Sequence, residues 1–571
     1  MIKTKRNSVI RFFAIICAAL MCFLSVSCGG ANKKDPTKTY LYVYNFDGGI
    51  GTEWLYNAAS RFEKLYAGES FEAGKTGVKI EIGPGKATLD TISKSPYNVF
   101  FSENVFYNDF IANGKVLDIT DIVRNPLSDV KGCEETGNIE KKLFEDQAAA
   151  LTALNGKYYF LPHYECYPGI SYDRDLFNKK SFFIAERSSS DTIVKFTDSS
   201  GNLSVGPDGI RNTYDDGLPS SYEEFYAMMN KMVKYGVDPF IYTGQYSSYI
   251  NYLLTGLWSA YSGKDAFMLN VNFNSGTGEN AVPAKIVTGF NGDMPIIEDE
   301  LISANNGYLM SQEAGRFYAL SFLSTIMANS RYFSTKITDV LSHLEAQTDF
   351  VFSSLDDKPI AMIIEGSYWY NEAKDALKAS ANQFPETGVD RDFSIMPLPR
   401  KITGQVKEGE GTKNTLMDCL ASYCFINANI KDNPVTVRLA KTFLQFLYTD
   451  AELINFTNTT AIYKAVKYNI SENVINNMSK FGKHLSEIRA ASDIIRPYSS
   501  HPIYVNAQSK FWYVGVTNAW NSKVKNNDGS ITDYVSPLSA YRDKKTAIQY
   551  FNGINVTQKE WSSLYGKYFL N

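Results

Sequence analysis

The residues that could do covalent chemistry are scattered. His163, His343, His484 and His501 are the four histidines of the chain, and none has a motif partner. There is no Gly-x-Ser-x-Gly elbow and no His-Glu-x-x-His. A carboxylate pair for glycoside cleavage is assembled in space and leaves no local spacing, and no segment marks one. Gly68-Glu69-Ser70-Phe71-Glu72-Ala73-Gly74-Lys75-Thr76 comes close to a phosphate-binding loop. Its spacer is one residue too long, and it leads into a strand instead of opening the helix that would hold the phosphate, so it reads as a tight turn. Asp208, Asn212, Asp215 and Asp216 crowd oxygen atoms into a glycine-bent segment. That segment could hold a structural calcium ion, although the spacing is not that of an EF-hand and Asp and Asn beside glycine are also ordinary turn residues. No other cofactor is expected.

What the composition offers instead is non-covalent chemistry. Tyr and Phe together outnumber Gly and Pro. Flat aromatic faces suit an exported protein that stacks its ligands, but the same aromatics also suit a large core. The formal net charge is −4, with no basic stripe, so neither nucleic acid nor an anionic membrane face is an expected partner. Beyond the N-terminal segment only Cys133, Cys166, Cys419 and Cys424 remain, too sparse for a disulfide framework and without zinc spacing, so they read as buried thiols.

Lys3, Lys5, Arg6 and Arg11 precede the apolar run Phe12–Leu24, the pattern of a secretory signal peptide. It ends in Leu24-Ser25-Val26-Ser27-Cys28, which resembles a bacterial lipobox, with Ser25 where an aliphatic residue is usual. Lipidation at Cys28 would hold the protein at the extracellular face of the bacterial cytoplasmic membrane on a polar tether over 29–37. An ordinary cleaved signal and a spanning anchor are the alternatives, the apolar stretch being short for a span.

The body is long enough for two or three domains. Tyr40–Tyr44 is a β-branched and aromatic run, then a glycine-rich loop to Gly51, then a helical pattern with Trp54, Ala58, Phe62 and Leu65 on one face. Strands at Gly77–Ile82 and Tyr97–Phe101 follow, and strands alternating with helices predict a parallel, doubly wound sheet with ligands at the strands' carboxyl ends. A long polar loop spans Asp198–Gly217, a capped helix begins at Ser220-Ser221-Tyr222, and amphipathic helices cover Lys441–Tyr448 and Ala451–Phe456.

These segments in this order resemble the family 1 extracellular solute-binding proteins, the maltose-binding-protein-like receptors of carbohydrate ABC importers. The resemblance rests on the opening strand and Gly-rich loop; Asn98-Val99-Phe100-Phe101 before Leu117-Asp118-Ile119-Thr120-Asp121; Gly156–Pro162 leading to Ser171–Phe177; Ala361–Trp369; Phe393–Pro399; and Phe425–Asn429. It implies a type II periplasmic-binding-protein-like α/β fold of two lobes joined by strands that cross near Pro168, Met396 and Thr449. The first lobe would be 38–167 plus 398–448, and the second 168–397 plus 449–571. By the same resemblance, Phe46 and Asp47 would line the ligand site, with Glu103, Phe106 and Tyr107, then Tyr164, Glu165 and Tyr167 before the first crossing. Tyr242, Gln245, Tyr246 and Trp258 would belong to the second lobe's face, as would Glu365, Trp369 and Tyr370. Trp369 follows a Gly-Ser turn at a strand's end with no obvious core partner, which makes it the expected stacking platform. The resemblance further implies a monomer that binds carbohydrate without turning it over and delivers it to ABC permease subunits. A peptide or polyol ligand, or a secreted carbohydrate-processing enzyme, are the alternatives.

Overall fold

The computed structural model describes residues 34–569, apart from 85–87, 189–190, 356, 384–390 and 508–518. The signal peptide, Cys28 and the first part of the tether lie outside the described residues.

Two sheets organise the chain. The first is built from β1 (Thr39–Asn45), β2 (Val78–Gly83), β3 (Val99–Ser102), β4 (Phe160–Pro162) and a late strand, β9 (Tyr423–Ile426), in the order β2-β1-β3-β9-β4. β1 pairs in parallel with both β2 and β3, the doubly wound arrangement expected from alternating strands and helices. The sheet is nevertheless mixed, because β9 runs antiparallel to β3 and β4. It comes from a chain re-entering the lobe from the opposite side, which no local periodicity announces. The second sheet takes β5 (Pro168–Asp173), β6 (Asp238–Ile241), β7 (Ile360–Gly366) and β8 (Phe393–Met396) in the order β8-β5-β7-β6. Its central strands β5 and β7 are buried along their whole length, and β7 accordingly reads as a near-continuous apolar run.

Helix α1 (Glu53–Leu65) buries Trp54, Leu55, Ala58, Ala59 and Phe62, the stripe that helical spacing dictates. Phe62 meets Phe443 and Phe446 of α5 (Pro434–Phe446) at 5.0 and 5.3 Å between ring centroids. In the second lobe, Ser221 caps α2 (Tyr222–Lys234) by accepting from the Glu224 N–H. The long helix α3 (Ser248–Asn272) is broken at Gly263, whose φ of 74° only glycine adopts without strain. Helix α4 (His343–Phe352) starts on a capping box between Ser342 and Glu345. Thr449 caps α6 (Asp450–Thr460), and the chain then returns to the junction, where the Glu165 N–H donates to the Tyr463 carbonyl. Beyond it, α7 (Lys480–Ala491) packs on β8, and Asp493–Ile495 pairs in parallel with Thr415–Met417. Three chain passes, 163–167, 418–420 and 463–465, therefore lie side by side between the sheets.

Of the thiols, Cys166, Cys419 and Cys424 are buried and Cys133 is half-buried, and all four are free. The Asp208–Gly217 segment is closed by its own turn chemistry. Asp215 accepts from the Asp208 N–H at 3.0 Å, the Thr213 hydroxyl at 2.9 Å and the Asn414 amide at 2.9 Å. Asp208 accepts from the Ile210 N–H, and Asp216 from the N–H of Asn212, whose own side chain is exposed at φ 63°. Among the described residues, no group of three or more His, Cys, Asp or Glu is arranged to hold a metal ion. Asp208, Asn212, Asp215 and Asp216, the residues the sequence offers for calcium, form a turn in which each of the three carboxylates accepts one backbone N–H of the same loop, while one Asp216 oxygen is buried without a partner.

Candidate functional site: a cleft between the lobes

The carboxyl ends of strands from both sheets face one another. β1 runs into Phe46–Thr52, β3 delivers Glu103, and β7 delivers Glu365 and the short helical turn Trp369–Glu372. This is the edge where open α/β sheets present ligand-binding loops. The glycine loop of the first lobe touches the second directly. Gly49 sits at φ 78°, and a Cβ there would lie 2.7 Å from the Tyr368 ring. The Asn371 side-chain amide donates to the Gly49 carbonyl at 2.6 Å. Glycine is required here both for its backbone conformation and for the close approach.

Around this contact lies an acid-rich, aromatic-walled space. The Tyr164 hydroxyl donates to the Glu103 carboxylate and, at 3.3 Å, to the Gly48 carbonyl. Gln347 on α4 donates to Glu365 at 3.1 Å and to Glu372 at 2.6 Å. His343 approaches Glu372 at 3.4 Å and lies 5.7 Å from the Tyr246 ring and 6.1 Å from Tyr249. Tyr249 and Tyr252 meet edge to face at 5.9 Å. Burial, and then the nearby Glu372 carboxylate, push both Glu103 and Glu365 well above the usual carboxylate range. Asp47 is raised by burial, against the opposing pull of Lys374. At the mouth, a cavity of about 660 Å³ opens between Phe46, Asp47 and Tyr56 of the first lobe and His343, Leu344 and Lys374 of the second.

Behind the cleft, the chain crossing carries a buried ionic knot. Glu165, wholly enclosed, accepts from Arg489 at 2.9 Å, from Arg496 Nε at 2.8 Å and from the Tyr167 hydroxyl. Burial pushes its carboxyl up, but the two guanidinium groups outweigh burial and hold it below the usual range. Asp418, next to it and accepting from the Cys166 N–H, is pushed up to about 7 by burial and then by the Glu165 charge.

A protein with two α/β lobes, three chain passes between them and a solute-sized gap at the strand ends has the anatomy of a hinged receptor. The model of the bacterial extracellular solute-binding proteins matches residues 52–453. The chain belongs to this family. It is therefore an extracellular solute-binding protein, a binding component of ABC transport, and the family is one of binding proteins. None of the curated proteins matches the chain. No helix among the described residues is long and apolar enough to cross a membrane.

The residues nominated from the sequence separate by position. Phe46, Asp47, Glu103, Tyr164 and Glu365 come together in the cleft, and Tyr246 stands at its edge, 41% exposed. Glu165 and Tyr167 belong to the crossing, where they bond each other and Arg489. Trp369 is 0% exposed, its indole N–H donating to Ser171 at 2.8 Å and its ring enclosed by Phe350, Phe393 and Phe481. It is a core residue of the second lobe, and the cleft face of that turn is given to Tyr368. Trp258 is likewise interior, donating to Glu313 at 2.8 Å beneath the Arg316 guanidinium. Tyr107 packs on Phe160 and Tyr423, and Phe106 on the cluster that contains Trp561. Tyr242 meets Phe333 edge-on in the core, and Tyr370 stacks on Phe481 at 4.8 Å. Gln245 is exposed and joined to Leu341 through its backbone. The cleft residues that sequence reasoning missed are Tyr249, Tyr252, Gln347, Tyr368, Asn371 and Glu372. Only Tyr368, Asn371 and Glu372 carried a signal, as neighbours of the nominated Glu365–Tyr370 stretch.

Proposed function

We propose that this protein captures a carbohydrate, most simply an oligosaccharide, between its two lobes and delivers it to the permease subunits of an ABC importer, held at the membrane by a lipid on Cys28. The observation that carries the reading is the lining of the cleft. Aromatic side chains from both lobes, Phe46, Tyr164, Tyr249, Tyr252 and Tyr368, stand beside planar polar groups, Glu103, Gln347, Glu365 and Asn371. Rings stack on the C–H faces of a pyranose, and the planar groups bond its hydroxyls. The mouth cavity continues the gap outward, which suits a ligand longer than one sugar. Two carboxyls facing one cleft also suit a glycosidase, but that chemistry needs one carboxylate ionised opposite a protonated acid. Glu103 and Glu365 are both pushed the same way, which favours binding without turnover.

A panel of oligosaccharides, polyols and short peptides in a thermal-shift assay tests the reading. A ligand that binds only the folded state at about a hundred times its Kd stabilises by about 2.7 kcal/mol. A rise confined to polyols or peptides would replace carbohydrate with that class, and sugar cleavage that copurifies with the protein would make it an enzyme.

A further inference from the structure

The cleft holds more acceptors than it has donors for. Glu103 enters from the first lobe and Glu365 and Glu372 from the second, and the Asn371–Gly49 contact joins the lobes beside them. The donors that meet these carboxyls are the Gln347 amide, the Tyr164 hydroxyl, the Gly366 N–H and, at 3.4 Å from Glu372, His343. Gln347 is 1% exposed, and its own oxygen has no hydrogen-bond partner. A buried acceptor without a donor is costly, so the arrangement calls for a donor from outside.

The charge balance points the same way. Among the described residues, the acidic side chain acting on both Glu103 and Glu365 is Glu372, and neither carboxyl has a lysine or arginine acting on it. Lys374 stands at the rim, where it acts on Asp47 and lies 3.7 Å from Glu53. Tyr249, Tyr252 and Tyr368 supply the π faces that attract an organic cation.

We propose that the ligand supplies the missing donor as a protonated amine: the cleft takes an amine-bearing saccharide, its ammonium group among Glu103, Glu365 and Glu372 and its sugar faces on the tyrosines. This rests on the carbohydrate reading and narrows it to a class. Burial and Glu372 push both Glu103 and Glu365 up in the empty cleft. An arriving ammonium pulls them back down, so binding shifts these carboxyls toward proton release.

The test is calorimetric titration of the purified protein at pH 7 with four probes: a glucosamine oligosaccharide, its N-acetylated counterpart, a glucose oligosaccharide of equal length, and spermidine. A charge-assisted contact available only to the free amine should make the glucosamine chain bind about tenfold or more tighter than the other two saccharides. Its heat should also change between buffers of different ionisation enthalpy, reporting proton release. Glu365→Gln and, separately, Glu103→Gln should erase most of that preference while the melting temperature stays near that of the parent protein. Equal or tighter binding of the acetylated or glucose chain overturns the amine and leaves the carbohydrate reading standing. Spermidine binding with no saccharide bound overturns the carbohydrate reading and with it this class. Binding by none of the four overturns the proposal.

Discussion

Trp369→Ala separates core from ligand face at the turn after β7. The indole has no exposed surface, lies 5.4–5.8 Å from the rings of Phe350, Phe393 and Phe481, and donates to Ser171 at 2.8 Å. Truncating a fully buried Trp to Ala typically costs about 3–5 kcal/mol, from lost transfer energy plus the cavity left behind. The upper half of that range is expected here, because the Ser171 hydroxyl also loses its partner in the interior. For a cooperative unit of about 200 residues, this corresponds to a fall in melting temperature of roughly 8–20 °C. Thermal unfolding by circular dichroism gives the stability change, and calorimetric titration below the transition gives the affinity of the folded fraction, which should remain within about threefold of the parent. Unchanged stability with a thirtyfold loss of affinity, about 2 kcal/mol, would refute the assignment and return Trp369 to the ligand face.

Three further outcomes are expected. Glu165→Gln leaves Arg489 and Arg496 facing a neutral amide in a buried site, so denaturant unfolding should show a loss of about 3–5 kcal/mol; a loss under 1 kcal/mol would mean that the knot is solvated. Asp418 has a folded pKa of about 7, raised above its ordinary value, so the stability it contributes is full below about pH 4 and lost as pH rises through 7. Asp418→Asn should therefore flatten the decline in stability between pH 4 and 7, and an unaltered pH profile would contradict the assignment. Because Asp208, Asp215 and Asp216 each already accept a backbone N–H of their own loop, a chelator should leave the melting temperature unchanged, and a clear fall on chelation would mean that the loop holds calcium.

Elements with local periodicity were legible in the sequence. The β1–loop–α1 unit, the capped start of α2 and the apolar runs that became β3 and β7 follow from side-chain spacing and turn residues alone. The insertion of β9 into the first sheet was not legible, since it depends on a chain returning after more than 250 residues. At the site, Glu103 and Glu365 came from the family resemblance, which places ligand residues on the loops after strands, the edge where such sheets bind ligands. Trp369 misled because its core partners Phe350, Phe393 and Phe481 come from three distant segments, invisible to local inspection. Tyr249, Tyr252 and Gln347 escaped for the opposite reason: they sit within helices, where aromatic and amide side chains look like ordinary packing. The Glu165 knot draws both its arginines from the tail beyond residue 463, the part of the chain where landmarks are fewest.

The central claim is that the gap between the lobes captures saccharide, and titration of one cleft variant tests it most directly. Tyr252 stands on the cleft side of α3, half-buried. If it stacks on ligand, Tyr252→Ala should weaken binding of the best saccharide by about thirtyfold, roughly 2 kcal/mol, with a melting temperature within a few degrees of the parent in the absence of ligand. Undiminished saccharide affinity in the folded variant, or a parent protein that binds no member of a broad saccharide panel, would contradict it.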